Sequence, residues 1–165
     1  MKLFGIAGFK NSGKTTLVVE LIKELRQRGL RVATIKHAHH KFDIDHPGKD
    51  SHQHREAGAE EVIVASSRRW AHIRELDDAD EPSVDELLQH LGDVDLVLIE
   101  GYKHGLHPKL ELRRIGRDAP EMAGTDNSIK AVVNDGPAET AGLPLLDRSD
   151  VPAIADFILA AAVAV

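Results

Sequence analysis

Nine residues, "GFKNSGKTT" from Gly8 to Thr16, carry the most specific chemistry in this chain. They match G-x-x-x-x-G-K-[ST], with an apolar run suited to a strand just before them and an amphipathic helical pattern just after. Glycines let successive backbone N–H groups turn inward onto phosphate oxygens, and the following helix adds the positive end of its dipole. Lys14 then reaches the β and γ phosphates, and Thr15 offers a hydroxyl to Mg²⁺. Gly8, Lys10, Asn11, Ser12, Gly13, Lys14, Thr15 and Thr16 are the candidate nucleotide-binding residues.

A phosphate loop also needs an acid on a neighbouring strand to hold the metal or its water. "VDLVLIEG", residues 94–101, is apolar on both faces and ends at Glu100. Asp95 begins the same strand and falls at the opposite end of the sheet, about 16 Å away, so Glu100 is the candidate acid. Asn-Lys-x-Asp, the usual guanine-reading loop, does not occur. In its place "VVNDG" at 132–136 offers Asn134 and Asp135 to a base edge; the alternative is a plain strand-ending turn, in which Asn, Asp and Gly are common.

A second cluster is "KHAHHKFDIDHPGKDSHQH", residues 36–54, holding His37, His39, His40, His46, His52 and His54. Imidazole is a frequent metal ligand, which invites a zinc or nickel reading. The spacing argues instead for a polar, solvated or anion-facing loop, because Pro47, Gly48, Lys49 and three aspartates break the histidines into scattered groups.

The elements that must position these residues form an alternating pattern. Strands are predicted at 2–7 and 30–35, separated by a helix over 14–28 that carries Leu17, Val18, Leu21, Ile22 and Leu25 and stops at Gly29. Segments 61–65 and 70–76 read as a hairpin at a sheet edge. Ser83 and Glu86 form a capping box for an amphipathic helix running to Gly92. Charges alternate with Leu110 and Leu112 over 108–115, which predicts a half-exposed strand. A buried strand at 129–133 and a helix from about Asp150 and Pro152 complete the chain. The class is α/β: a P-loop NTPase with a mostly parallel central sheet flanked by helices, and an added β-hairpin or edge-strand region. One domain, 1–165, is expected, with a loop and strand insertion over about 37–78.

Bulk properties narrow the function. The 165 residues suit one domain, with 42% hydrophobic and 29% charged. A net charge of −6 argues against a nucleic-acid partner, since phosphate backbones select clustered cations. The absence of cysteine removes thiolate nucleophiles and Cys-type metal sites. Neither a signal peptide nor a membrane span is predicted, so a cytoplasmic protein is expected.

"GFKNSGKTTL", then "TIKHAHHKFDIDHPGKDSHQHREAGA", then "DLVLIEGYKHGLHPKLELRR" together resemble the MobB family of molybdopterin-guanine dinucleotide biosynthesis adapters. The likeness runs to about residue 135 and is weakest in the last helix. It implies a homodimer that binds GTP and Mg²⁺, hydrolyses GTP slowly if at all, and works beside the guanylyltransferase that attaches GMP to molybdopterin, and with molybdenum-cofactor enzymes. By analogy with the same P-loop branch, Asp43, Asp45, Lys49 and Asp50 are the working residues of the histidine-rich loop, Asp50 first as a second magnesium-shell acid. Lys14, Glu100 and Asp50 are thus the candidate catalytic set, and Thr15, Glu100 and Asp50 the metal set. Lys103, His104, His107, Lys109, Arg113 and Arg114 form a basic stretch suited to pterin phosphate or to an acidic partner face; a solvated strand face is the alternative. No water-positioning glutamine is evident, and Arg113 is the one candidate arginine finger, acting in a dimer. Two other functions fit a phosphate loop, a nickel-inserting metallochaperone GTPase and a dethiobiotin-synthetase-like ligase.

Overall fold

A computed structural model describes residues 1–38, 42–76, 81–114 and 121–165. They divide into two compact units, one formed by Met1–His37 with Leu87–Val165 and the other by Ala38–Glu86. The insertion expected over about 37–78 falls within the second.

The first unit is built on β1 (Lys2–Ala7), α1 (Lys14–Gln27) and β2 (Val32–Lys36). The second unit holds α2 (Asp50–Glu56), β3 (Glu61–Ala65) and β4 (Trp70–Arg74), and the short α3 (Val84–Leu88) spans its end. β5 (Leu96–Glu100), β6 (Lys109–Leu112), β7 (Ile129–Asn134), β8 (Leu145–Asp147), α4 (Val151–Ala161) and β9 (Val163–Ala164) follow. One sheet orders the strands β2-β5-β1-β6-β7-β8, all parallel. β6 begins pairing only at Gly5, which leaves Lys2 and Leu3 open for the antiparallel β9. From β1 the chain moves to one side of the sheet and from β6 to the other, so a crevice opens outside the strand carboxyl ends near β1 and β6.

Each predicted helix has a local cause. α1 buries Leu17, Val18, Leu21 and Leu25 against the sheet, each contributing roughly 1.5–3 kcal/mol. Its end is a Schellman arrangement: Gly29 N–H donates to Arg26 O and Leu30 N–H to Leu25 O, with Leu25 in the core and Leu30 half-buried against it. α4 starts at Asp150, whose carboxylate accepts the Ala153 N–H at 3.0 Å. It lays Ile154, Ala155 and Ile158 beside α1, and Phe157 meets Phe4 edge-on.

Four expectations need correction, the last of them at β6. The Ser83–Glu86 capping box forms, yet the helix stops at Leu88, and His90 and Leu91 N–H groups close only i→i+3 turns. The hairpin is real, but β3 and β4 make their own two-stranded sheet and do not extend the main one. Residues 50–56 of the supposed loop are helical, and the tiny β8 and β9 were not foreseen.

β6 is the largest departure. It is buried along its whole length, with Lys109 and Glu111 at 0% and 1% exposure. Alternating charge therefore marks the second face of an interior strand, where partners replace water. The Lys109 ammonium donates to Lys103 O at 3.2 Å, Gly105 O at 2.5 Å and Ser128 Oγ at 2.5 Å, with Asp126 at 3.4 Å. Glu111 accepts the N–H groups of Met122 and Ala123 and a 2.8 Å bond from Arg113. Arg113 in turn bonds Glu121 and the Glu139 carbonyl. The guanidinium considered for an arginine finger is thus tied down within its own unit.

Removing one member of a buried charged set strands the others. Lys109→Ala is expected to lower stability by about 3 kcal/mol, read as a shift of the urea midpoint. Lys109→Met, which keeps most of the volume but also removes the ammonium, is expected to cost nearly as much; a loss of only a small fraction of the alanine value would show that the cavity, and not the charge pairing, is the cause.

Candidate functional site

The loop between β1 and α1 is shaped by steric necessity. Gly8 has φ 153°, and a Cβ there would lie 2.5 Å from Leu112 O and 2.8 Å from Ser12 Oγ. Gly13, at φ 93°, is the N-cap of α1 and brings no capping side chain, and no acid stands in the first turn. The first N–H groups of a 14-residue helix are thus presented to an anion at the loop. Asn11 is also left-handed at φ 63°, and Ser12 is buried with a hydroxyl that finds no partner among the described residues. Lys10 and Thr16 are exposed.

Lys14 folds back over this loop, donating to Gly8 O at 2.9 Å and Phe9 O at 2.8 Å. Burial pushes its pKa below the ordinary lysine value; Glu100 opposes that shift, and Lys103 and Lys36 reinforce it.

Glu100 ends β5 and is buried at 8% exposure. Thr15 Oγ1 donates to its Oε1 at 2.8 Å, and the Lys36 ammonium stands 3.6 Å from the same oxygen and 3.5 Å from the threonine hydroxyl. Asp95 lies at the other strand end, as its spacing required, where the Arg31 N–H and guanidinium hold its pKa below the usual carboxylate range. Lys36 was missed as a site residue. Its only sequence signal is that it ends the second strand's apolar run, and its relation to Glu100 depends on strand register.

Asn134 closes β7 and is buried, with Nδ2 donating to Gly136 O at 3.1 Å. Its Oδ1 is buried and finds no partner among the described residues; Asp135 is exposed. The amide both shapes the turn and leaves an acceptor over.

In the second unit, Arg55 gathers Asp43 at 2.8 Å, Glu75 at 2.5 Å and Asp45. Burial raises the Asp45 pKa, but the hydrogen bonds from Arg55, with Asp43 and Ser51, outweigh it and hold the group low. Lys49 is the N-cap of α2, and Asp50 is its exposed first residue. Asp43 and Asp45 therefore fasten the segment before α2, while Asp50 bonds no described residue. His39 and His40 lie outside the described residues. His37 stacks on Tyr102 at 4.6 Å, and His52 faces Glu56 at 3.5 Å one turn on. Among the described residues, no three His, Asp or Glu side chains gather where a metal could be held.

The basic stretch separates into different roles. Lys109 and Arg113 are structural, as described above. His107 lies against Gly5, where a Cβ would come within 2.6 Å of Nε2. Burial, with Lys109 beside it, lowers its pKa to about 4. Lys103 places its ammonium 4.2 Å from the centre of the Phe9 ring, and His104 and Arg114 are exposed.

A glycine loop between strand and helix, an acid at the neighbouring strand's end and a parallel sheet flanked by helices define a P-loop NTPase fold. The chain belongs to the MobB family. The family model described as molybdopterin guanine dinucleotide synthesis protein B matches residues 3–135. Among its relatives is the molybdopterin-guanine dinucleotide biosynthesis adapter protein of Escherichia coli, 41% identical over 160 residues, covering 95% of this chain and 91% of the relative. The adapter of the same description from Haemophilus influenzae is 43% identical over 161 residues, covering 94% and 86%. A crystal structure of molybdopterin-guanine biosynthesis protein B superposes with a TM-score of 0.73 at 31% identity, covering 96% of this chain and 98% of that one. These relatives support the adapter reading and lend nothing to the metallochaperone or ligase alternatives. Their similarity also extends past residue 135, into the helix where the sequence resemblance was weakest.

His107 gives the fold a pH signature. Between about pH 6.5 and 4 the unfolded chain takes up a proton that the folded histidine refuses, so stability falls as pH drops across that window. The loss attributable to this residue is on the order of 2 to 3 kcal/mol. Urea midpoints measured at pH 7 and pH 4 should differ less for His107→Gln than for the wild type; identical differences would refute this assignment.

Proposed function

We propose that the chain binds GTP with Mg²⁺ in the Gly8–Thr16 loop and serves as a cytoplasmic, homodimeric adapter. In this role it assists the guanylyltransferase that attaches GMP to molybdopterin, and it meets molybdenum-cofactor enzymes. The observation that carries the reading is the Thr15 hydroxyl set 2.8 Å from the buried Glu100 carboxylate at the head of the phosphate loop. The names of the relatives supply the pathway, and the loop supplies the nucleotide. Among the described residues no helix is long and apolar enough to cross a membrane, which is consistent with this placement.

Thr15 and Glu100 are both hard oxygen donors, with Lys36 offsetting the carboxylate charge until a cation takes that part. They fit Mg²⁺, which when bound would offset charge on the β and γ phosphates. Lys14 leaves the Gly8 and Phe9 carbonyls for phosphate oxygens, and Gly13 with the first turn of α1 presents N–H groups. Asn134 with Asp135 is proposed as the pair that addresses the base. Hydrolysis is slow at most, because Arg113 is already bound by Glu111, Glu121 and the Glu139 carbonyl. Dimerisation draws on the hairpin of the second unit, where Ile63, Val64 and Trp70 are 65%, 47% and 62% exposed on strands that need an edge partner.

Calorimetric titration should show GTP with Mg²⁺ binding at least tenfold more tightly than ATP, and Lys14→Ala should abolish binding. Glu100→Gln should keep metal-free nucleotide binding while removing most of the Mg²⁺ enhancement. Equal affinity for the two nucleotides would refute the guanine assignment.

A further inference from the structure

An open cleft of about 780 Å³ lies in the first unit on the face of the sheet away from α1, between the 103–106 loop and the 125–130 segment. That is within the size range of small-molecule sites. Only Phe9 comes to it from the phosphate loop. Lys130 stands at the start of β7, whereas Asn134 and Asp135 stand at its other end, roughly 13 Å along the strand. The cleft is therefore separate from the place where a nucleotide base would be addressed.

Its charge and shape select a ligand. Lys103, His104 and Lys130 contribute cationic or protonatable groups. Asp126 is the one carboxylate of the lining, and it is already engaged by Ser128 at 2.5 Å and by Lys109 at 3.4 Å. Burial opposes ionisation of Asp126, but these hydrogen bonds and the nearby ammonium win and hold its pKa low. An anion is thus favoured. Phe9 and Leu106 supply apolar surface, Leu106 at 95% exposure, and Thr125 and Asn127 supply hydrogen-bonding groups. Cations, an aromatic ring, a hydroxyl and an amide together suit a flat heterocycle carrying a phosphate.

The walls are held before any ligand arrives. Lys109, fully buried beneath them, bonds the Lys103 and Gly105 carbonyls on one side and Ser128 on the other. A site whose sides are tied to one internal ammonium loses less entropy when it is filled.

We propose that this cleft binds a phosphorylated heteroaromatic small molecule of the pterin phosphate class, beside the nucleotide site and not within it. The choice of a pterin rests on the adapter reading given above; the anionic, heteroaromatic chemistry rests on the cleft alone.

The test uses the full chain and the fluorescent probe 6-(hydroxymethyl)pterin monophosphate, with binding read by anisotropy. The wild type should bind the probe, and Leu106→Asp combined with Lys130→Glu should weaken it at least tenfold while a GTP analogue binds as before. Lys14→Ala should remove the GTP analogue and keep the probe. The proposal is overturned if the wild type does not bind the probe, if the double variant binds it as well as the wild type, or if excess GTP analogue or Lys14→Ala expels it. Inorganic phosphate displacing the probe at equal concentration would overturn the heteroaromatic part, since the ring would then add nothing. Probe binding that depends on Leu106 and Lys130, in a protein that binds no GTP, would uphold the cleft and bring down the nucleotide reading alone.

Discussion

Parallel register across β2, β5 and β1 is the constraint from which the site follows. It aligns Lys36 with Glu100 and Glu100 with Ile6, so the carboxyl ends of three strands finish on one line. The chain must then leave β1 through a tight loop and return as α1, whose Leu17, Val18 and Leu21 are buried over Phe4 and Ile6. That packing brings Thr15 back over the line of strand ends, within 2.8 Å of Glu100. A carboxylate at 8% exposure needs compensation, and Thr15 and Lys36 share the task. A phosphate-bound cation there would meet the oxygens of Thr15 and Glu100 and would take over the compensation that Lys36 supplies.

The parts of this arrangement legible in the sequence are those with local causes. Lys14 and Thr15 declare themselves through loop spacing, and Glu100 through an apolar run that ends in a charge. α1 and α4 are marked by their caps and their apolar stripes. Lys36 is different, because nothing in "TIKH" says which strand lies beside it. Phe9 is different too: its carbonyl receives Lys14 and its ring receives Lys103, contacts made by folding and not by motif. In the histidine-rich segment the eye is drawn to imidazoles, while the structure spends its order on Arg55 with Asp43, Asp45 and Glu75, residues up to 32 positions apart along the chain.

β6 shows why alternation misled. Period-two charge is a good sign of a wetted face only when water is the sole available partner. Here Lys109 and Glu111 meet main-chain carbonyls, N–H groups and counter-charges in a dry place, so the same pattern marks a strand interior. α2 was missed for the opposite reason. "DSHQHRE" has no apolar stripe, buries no residue, and leaves a sequence reading nothing periodic to detect.

These buried charges do more than fill the second face of the sheet. Lys109 fixes the loop after β5 to the segment before β7, and Glu111 fixes the turn at Met122 and Ala123, so the side of the sheet without α1 is organised by polar contacts. Phe9 joins that side to the phosphate loop, since one of its atoms holds Lys14 while its ring holds Lys103. A phosphate that draws Lys14 away releases one of the ties on Phe9, and a ligand that seats against Phe9 alters the carbonyl that Lys14 must leave. Linkage makes any such effect reciprocal in free energy. If the proposed nucleotide and cleft ligand both bind, Phe9 is where they would be coupled, because it alone of the phosphate loop lines the cleft while its carbonyl receives Lys14.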